Sequence, residues 1–222
     1  YELMEDEELT FAAMPPSLLQ FLSPYFDEIH VPKLKYLIVT AEAANADLLQ
    51  RFRGCAPNAE FVNLYGPTEA TIYCTAYRIP PENCKQHNGM IAIGRPFSGL
   101  ETIIMDEKGM PVAEGEQGEL WVSGEQVMRG YWQDEDKSRQ VFARFNGKEY
   151  YKTGDLCSVD SDGDIIYRGR KDYQVKVQGF RVELSEIEYR TKKFFPNETH
   201  AVVIPKKEDD GGCQLHLFVG TD

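Results

Sequence analysis

The sequence predicts an α/β layer, then a β-rich subdomain, then the start of a small α+β lobe. Three observations lead to this fold class. Residues 1–90 alternate strand-like and helix-like apolar segments, residues 91–171 carry short strand patterns between turns, and residues 172–222 read as a hairpin, a helix and two strands. The pattern changes near Ile91 and again near Asp172, so we expect the boundaries between these units there.

The first unit predicts a ligand-binding edge of a parallel sheet. Helix patterns at Pro16–Leu22 and Ala46–Phe52 alternate with strand patterns at Tyr36–Ala41 and Glu60–Asn63. Strands separated by a helix predict a parallel βαβ unit. The loop Leu64–Glu69 then follows the carboxyl end of a strand, which is where open α/β sheets bind their ligands.

The later units are predicted from shorter patterns. In the β-rich unit the strands and turns favour an antiparallel barrel or sandwich; they are Glu101–Met105, the turn Asp106–Gly109, Glu119–Ser123, Cys157–Val159, the turn Asp160–Gly163, and Ile165–Tyr167. The small lobe is predicted to contain the hairpin Gln174–Val177 with Phe180–Val182, the helix Leu184–Phe194, and the strands His200–Ile204 and Leu215–Val219.

Composition excludes several classes of partner. The 222 residues are 42% hydrophobic, which is enough for a sizeable core, and the net charge of −12 disfavours binding to nucleic acid or an anionic membrane. The five cysteines form no CxxC pair, so a reducing cytoplasm is favoured over a disulfide framework or a zinc site. The acidic start is not a signal peptide, and an initial Tyr1 suggests a piece of a longer protein.

Other local patterns point to common structural roles. The sequence DSDGD at Asp160–Asp164 resembles a calcium loop, but its glycine is fourth rather than sixth and no glutamate follows at the twelfth position, so a hairpin turn is favoured. The four histidines show no metal-binding spacing. The glycines form neither GxGxxG nor GxxxxGK[ST], so neither the dinucleotide-binding nor the P-loop motif is present.

The segment NLYGPTE at Asn63–Glu69 carries three groups that a nucleotide requires. Gly66 and Pro67 force a turn, so the flanking aromatic ring of Tyr65, a hydroxyl and a carboxylate can project into one crevice. A ring can stack on a base, a hydroxyl can donate to phosphate, and a carboxylate can hold Mg²⁺. The alternative, from this segment alone, is an ordinary turn with a buried tyrosine.

Two further segments suit a nucleoside. In YKTGDL, Asp155 follows a predicted Thr-Gly turn, and a carboxylate there can accept both ribose hydroxyls. Tyr167 and Arg170 flank Gly169, which suits an aromatic contact with the nucleoside and a cation near its ribose or phosphate. The alternatives are a solvated turn aspartate and a surface Tyr–Arg pair.

Taken together and in order, five segments resemble one family. They are NLYGPTE (63–69), GELWVSG (118–124), RGYW (129–132), YKTGDL (151–156) and YRGRKDYQVKVQGFRVELSEIE (167–188). The set resembles the adenylate-forming ligases, most closely the amino-acid adenylation domains of nonribosomal peptide synthetases and the D-alanine–carrier protein ligases. This resemblance implies a partial acyl-CoA synthetase-like fold. It covers the later part of that family's large domain and the first part of its small domain.

The resemblance also implies residue roles. In the nucleotide site, Asn63 and Tyr65 would line the adenine, with Gly66 in the same turn, and Thr68 would meet the α-phosphate. Glu69 would bind Mg²⁺. The remaining implied roles are Asp155 on the ribose, Tyr167 and Arg170 beside the nucleoside, Lys176 near the nucleotide, Asp172 as the hinge, Gly179 at the thiol entry, and Ala13, Val39, Ala41, Leu64, Ile72 and Tyr73 as the walls of an apolar substrate pocket.

The implied chemistry has two half-reactions. A carboxylate, expected to belong to an amino acid with a small or apolar side chain, attacks ATP to give an acyl-adenylate and pyrophosphate. A phosphopantetheine thiol of a carrier protein, or CoA, then takes the acyl group and releases AMP. Because the family's phosphate loop and terminal catalytic lysine do not occur in the sequence, we expect this chain alone not to adenylate. The alternatives are an acyl- or aryl-CoA ligase and a non-catalytic nucleotide-binding or interaction module.

Overall fold

Two five-stranded sheets dominate the part of the chain that the structure, a computed structural model, describes: residues 2–171, 174–177, 180–195, 200–207 and 213–220. The helices are α1 Glu2–Asp6, α2 Pro16–Leu22, α3 Ala46–Phe52, α4 Glu135–Val141 and α5 Leu184–Phe194. The strands are β1 Phe11–Met14, β2 Tyr36–Thr40, β3 Glu60–Tyr65, β4 Thr75–Ile79, β5 Gln86–His87, β6 Met90–Ile91, β7 Arg95–Pro96, β8 Leu100–Met105, β9 Gly118–Gly124, β10 Phe142–Phe145, β11 Lys148–Val159, β12 Ile165–Arg170, β13 Gln174–Val177, β14 Phe180–Glu183, β15 His200–Lys207 and β16 Cys213–Gly220.

The first sheet is mixed, with the order β1-β2-β3-β4-β7. Strands β1, β2 and β3 are parallel, and α3 connects β2 to β3, so the predicted βαβ unit is confirmed. The helix begins where predicted because the Asn45 side chain accepts a hydrogen bond from the Leu48 backbone N–H at 3.1 Å. Strand β3 extends two residues beyond the predicted Asn63, and Tyr65 is therefore a strand residue rather than a loop residue.

A hydrophobic core lies under this sheet. Leu37 of β2, Phe52 of α3 and Phe61 of β3 are fully buried, and the two phenylalanine rings have centroids 6.1 Å apart. Burial alternates along β2 and β3, so one face of the sheet packs on the core while the other stays more open. The core holds the strands whose carboxyl ends carry the predicted site.

The second sheet is antiparallel, with the order β10-β11-β9-β8 and β12 paired to β11. The sequence prediction gave strand only at Cys157–Val159 and a turn at Thr153-Gly154. The turn prediction is wrong, because β11 is a single strand of 12 residues and the register shifts there mark a bulge. Tyr151, Thr153 and Asp155 alternate as buried residues along it. Residues on either side of Thr153-Gly154 pair with β9 and β12, which keeps the chain in one strand through the bulge.

A cluster of charges closes the turn before β12. The carboxylates of Asp160, Asp162 and Asp164 lie within 4.8 Å of one another. The ammonium nitrogen of Lys85 is 2.8, 2.7 and 2.6 Å from them, respectively, and Arg95 also pairs with Asp164. The expected hairpin turn is confirmed, and a lysine ammonium lies where a metal ion would have to bind.

The two sheets are joined by backbone hydrogen bonds and a shared core. Ile93 N–H donates to the Ile165 carbonyl at 2.9 Å, and Ile165 N–H donates to the Gly94 carbonyl at 2.8 Å. Tyr65 at the end of β3 packs in the same apolar cluster as Leu120 and Cys157 of the antiparallel sheet. This second core brings the end of β3 against the middle of β11.

The C-terminal segment is described in part. Helix α5 has the predicted bounds, whereas β15 and β16 extend beyond the predicted strands and form an eight-residue antiparallel pair. Asp172 and Gly179 lie outside the described residues. Lys176 lies in β13, but its side chain is also outside the described set. None of the helices in the described part of the chain has the length and apolar character that a membrane crossing requires.

Candidate functional site

The candidate site is built around Asp155 of β11. Its carboxylate is buried, accepts a hydrogen bond from the Tyr65 phenol through Oδ2, and pairs through Oδ1 with the Arg170 guanidinium at 3.0 Å. Arg170 also donates to the Thr153 carbonyl at 2.9 Å, which fixes the guanidinium beside the bulge. Residues from the predicted NLYGPTE, YKTGDL and YRGR segments therefore meet at one carboxylate.

Burial sets the protonation of this cluster. Burial, followed by the nearby charge of Asp155, raises the pKa of the Tyr65 phenol well above its ordinary value. Burial and the same carboxylate raise the pKa of the Cys74 thiol to about 12 and that of the Cys157 thiol well above its ordinary value. At neutral pH all three groups carry their protons, so Tyr65 is a neutral donor to the Asp155 carboxylate.

A cleft opens beside this cluster at the carboxyl ends of β2 and β3. Residues that line it are Ala41, Glu42, Ala43, Asn63, Leu64, Tyr65, Gly66, Ile91, Ile93, Asp155 and Tyr167. The buried Asn63 side chain is held by donating from Nδ2 to the Ala92 carbonyl at 2.9 Å. The cleft has a volume of about 40 Å³, which is small against ligand pockets of roughly 300–1,000 Å³. Its lining residues therefore form one wall of a nucleotide site rather than an enclosed pocket.

The turn after β3 requires glycine at its first position. A Cβ on Gly66 would meet the Ile72 carbonyl and come within 2.8 Å of the Cys74 backbone nitrogen. The chain then forms a short 3₁₀ turn at Thr68–Ala70, in which Thr68 is exposed and Glu69 is buried. Thr68 is thus accessible to solvent, as a phosphate contact requires.

The segment that follows β9 holds this turn in place. The Gln126 side chain donates to the Ala70 and Tyr73 carbonyls, each at 2.6 Å, and the Thr71 hydroxyl donates to the Gln126 carbonyl at 2.6 Å. Met128 N–H donates to the Glu69 carbonyl at 2.8 Å. These four bonds link the last residue of NLYGPTE and the chain just after it, residues 69–73, to the chain that leads into RGYW.

Glu69 fits the predicted magnesium role by its chemistry. Glu69 is 7% exposed, and its Oε1 accepts a hydrogen bond from the Tyr131 phenol at 2.6 Å. Mg²⁺ in phosphate-binding sites is typically held by one or two carboxylates together with phosphate oxygens and water. One oriented carboxylate beside the exposed Thr68 hydroxyl meets that requirement.

The predicted substrate-wall residues are not all brought together. Ala41 and Leu64 line the same cleft as the nucleotide set, whereas Ala13, Ile72 and Tyr73 are not among its lining residues. Val39 is fully buried and lies on the core face of the sheet, opposite the face that carries Ala13. The substrate pocket therefore stays a prediction, with two of its six residues placed in the cleft.

Sequence reasoning missed several residues of the site. Glu42 and Ala43 follow β2 directly and line the cleft; the rule that ligands bind past the carboxyl ends of parallel strands could have included them. Ala41 adopts a left-handed backbone conformation (φ 71°), which turns the chain at this edge. The roles of Ile91, Ile93 and Tyr131 depend on contacts between distant segments, so no local signal marks them.

The fold and site define the class of protein. Residues 1–132 match the model of the AMP-binding enzyme family, which is more than half of the chain. The chain belongs to the AMP-binding enzyme family, the adenylate-forming ligases, and its structure is a partial adenylate-forming fold. The resemblance deduced from the five sequence segments is confirmed.

Three individual proteins similar to this chain are informative. Novobiocin biosynthesis protein H of Streptomyces niveus is 38% identical over 97% of this chain, which spans 34% of that protein. The D-alanine–D-alanyl carrier protein ligase of Streptococcus pneumoniae is 33% identical over 88% of this chain and is covered to 38%. The Vibrio cholerae adenylation domain AlmE, solved with glycyl-adenosine-5'-phosphate, superposes with a TM-score of 0.88 at 28% identity, over 98% of this chain and 42% of AlmE. The chain thus spans little more than a third of the length of the two curated relatives from Streptomyces niveus and Streptococcus pneumoniae.

Proposed function

We propose that the complete protein activates an amino acid as an aminoacyl-adenylate and transfers it to the phosphopantetheine thiol of a carrier protein. The observation that carries this proposal is the meeting of Tyr65, Asp155 and Arg170 beside one cleft, because it assembles an aromatic face, an acceptor for ribose hydroxyls and a cation. Those are the groups that a nucleoside monophosphate requires.

In this proposal each residue of the site has one role. Asp155, held at both oxygens, accepts from the ribose hydroxyls, while Asn63 and Tyr65 form the adenine wall with Gly66. Thr68 at the rim donates to the α-phosphate, and Glu69 holds Mg²⁺. When bound, the metal neutralises charge on the phosphates, so that a negatively charged substrate carboxylate can approach the α-phosphorus. Rate enhancement comes from alignment and charge neutralisation, not from a nucleophile of the protein.

Two relatives and the predicted wall residues support the substrate and the acceptor named in this proposal. AlmE binds a glycyl-adenylate in its solved structure, and the pneumococcal relative is a carrier protein ligase. Both support an amino acid and a carrier protein here. The predicted wall residues carry no charge, which supports a small or apolar side chain; the roles of Lys176, Asp172 and Gly179 in nucleotide contact, hinge motion and thiol entry stay part of the proposal.

The test uses the complete polypeptide that carries this segment. ATP–pyrophosphate exchange is measured against a panel of amino acids and simple carboxylic acids. Exchange driven by one small or apolar amino acid is the expected result. Exchange with plain acids alone would replace the proposal by an acyl- or aryl-CoA ligase, and ATP binding without any exchange would indicate a non-catalytic module.

A pair of variants tests the site itself. Asp155→Asn removes the charge that the ribose hydroxyls and Arg170 meet, and we expect AMP affinity to fall roughly 10-fold or more, the worth of a hydrogen bond to a charged group. Asp106→Asn is the matched control, since the Asp106 carboxylate bonds only to backbone N–H groups of its own turn among the contacts described. Equal AMP affinity in wild type and Asp155→Asn would remove Asp155 from the site.

A further inference from the structure

The contact between Tyr131 and Glu69 assigns a role to the RGYW segment. We propose that Tyr131 is a positioning residue that orients the Glu69 carboxylate toward Mg²⁺; this inference rests on the metal-binding role in the proposed function. The phenol donates to Glu69 Oε1 at 2.6 Å, from a residue 62 positions further along the chain. A hydrogen bond on one oxygen of a buried carboxylate fixes the rotation of its plane, which sets the direction of its remaining lone pairs.

Tyr131 is itself held by the start of α4. Its backbone N–H donates to the Ser138 hydroxyl at 2.8 Å, and that hydroxyl donates to the Asp134 carbonyl at 2.7 Å. The Lys137 ammonium lies 4.3 Å from the centroid of the Tyr131 ring, within cation–π distance. The ring is thus fixed from its backbone and from one face, so its hydroxyl has little freedom to leave Glu69.

The glycine of RGYW serves this arrangement. Gly130 has φ +146°, and a Cβ at that position would come 3.0 Å from the Ser138 hydroxyl oxygen. Glycine therefore allows the chain to approach α4 closely enough for the bond from Tyr131 to Ser138. The Glu69 backbone is tied to the same segment by Met128, so both the main chain and the carboxylate of Glu69 are oriented from one piece of chain.

The second sheet offers a matched control. Tyr150 donates to Glu101 Oε1 at 2.7 Å, which is the same phenol–carboxylate pair at a site away from the cleft. Tyr150→Phe therefore removes the same chemical group without touching Glu69. Ser138→Ala is the second test variant, because it loosens Tyr131 but leaves its phenol in place.

The experiment measures ATP binding by the complete polypeptide at increasing Mg²⁺, and AMP binding without metal, by calorimetry. We expect Tyr131→Phe to raise the Mg²⁺ concentration for half-maximal ATP binding roughly 10-fold or more, as loss of an outer-shell partner does, and to change AMP affinity less than about twofold. Ser138→Ala should shift the Mg²⁺ requirement in the same direction by less. Tyr150→Phe should behave as wild type.

The outcomes separate the inference from the proposed function. If ATP binding by the wild type depends on Mg²⁺ but Tyr131→Phe needs no more Mg²⁺ than the wild type, the positioning role alone is overturned. It is also overturned if Tyr150→Phe raises the Mg²⁺ requirement as much as Tyr131→Phe does. If Tyr131→Phe does not fold, an unshifted Ser138→Ala overturns the role. A wild type whose ATP binding does not respond to Mg²⁺ removes the metal role of Glu69 and the inference with it, and failure to bind AMP would overturn the proposed function.

Discussion

Tyr65 donates its phenolic hydrogen to Asp155 Oδ2 across 90 residues of chain. Tyr65 ends a strand of the mixed sheet, and Asp155 lies at a bulge in the antiparallel sheet, so this bond joins the two layers at the cleft. Because the partly buried Arg170 holds the other oxygen, both oxygens of the buried Asp155 carboxylate have a partner. These bonds link stability of the fold to geometry of the site.

We expect Tyr65→Phe to lower the free energy of unfolding by about 1.5–3 kcal/mol. The substitution leaves a buried carboxylate without one of its donors, which costs more than loss of a hydrogen bond between two uncharged groups. Tyr77→Phe is the control, since the Tyr77 hydroxyl accepts only from the Lys85 backbone N–H, at 2.9 Å, among the contacts described. Denaturant titration measures the loss of unfolding free energy in both variants, and we expect the larger loss in Tyr65→Phe. A loss in Tyr65→Phe no larger than that in Tyr77→Phe would contradict the prediction.

Stability should fall as pH rises above about 9. The folded state holds the Cys74, Cys157 and Tyr65 protons more tightly than their ordinary pKa values of 9.0 and 10.0, while the unfolded chain releases them there. Each group then binds fewer protons in the unfolded state than in the folded state. The contribution of these groups to the free energy of unfolding is therefore full below pH 9, and above it falls by about 1.4 kcal/mol per pH unit for each ionising group.

Cys74→Ala isolates one of these contributions. The variant should flatten the decline of unfolding free energy between pH 9 and 11, because the folded-state pKa of that thiol is about 12, and its slope between pH 6 and 8 should match wild type. Denaturant titrations at these pH values measure both slopes. Parallel curves above pH 9 would show that the buried thiol contributes nothing to the alkaline loss.

Lys85→Met should convert the aspartate cluster into a weak calcium site. Without the ammonium, three carboxylates within 4.8 Å of one another face only Arg95 among their described cationic partners, and repulsion should lower the melting temperature. Millimolar Ca²⁺ should restore part of that loss and leave wild type unchanged. In Lys148→Met the lost ammonium pairs only with Glu101 among the contacts described, so this control should not respond to Ca²⁺; an equal response would refute the prediction.

Gly66→Ala should destabilise the chain by about 1–3 kcal/mol, since the added methyl group would collide with rigid backbone at Ile72 and Cys74. Gly54→Ala is the matched control, because a Cβ there meets only the Arg51 carbonyl at an ordinary 3.5 Å. Thermal unfolding of both variants measures the difference. If Gly66→Ala were as stable as wild type, the turn after β3 would have to be free to relax.

Local chemistry made much of the fold predictable. Helices α2, α3 and α5 have the predicted bounds. Their apolar spacing, and the asparagine cap on α3, are patterns that extend over only a few neighbouring residues. The βαβ order and the turn Asp160–Gly163 follow from equally local patterns. The family segments could be recognised for the same reason, since each is a short run of contiguous residues.

Strand length and contacts across the sheets were decided by tertiary structure. Thr153-Gly154 suggested a turn, yet the residues on either side pair with β9 and β12, so the chain continues as one strand with a bulge that presents Asp155. The bonds from Tyr65 to Asp155 and from Tyr131 to Glu69 join residues 90 and 62 positions apart. The sequence by itself determined which residues could carry the chemistry, while only packing of the two sheets decided which of them meet, because a buried hydrogen bond depends on distances that no local pattern contains.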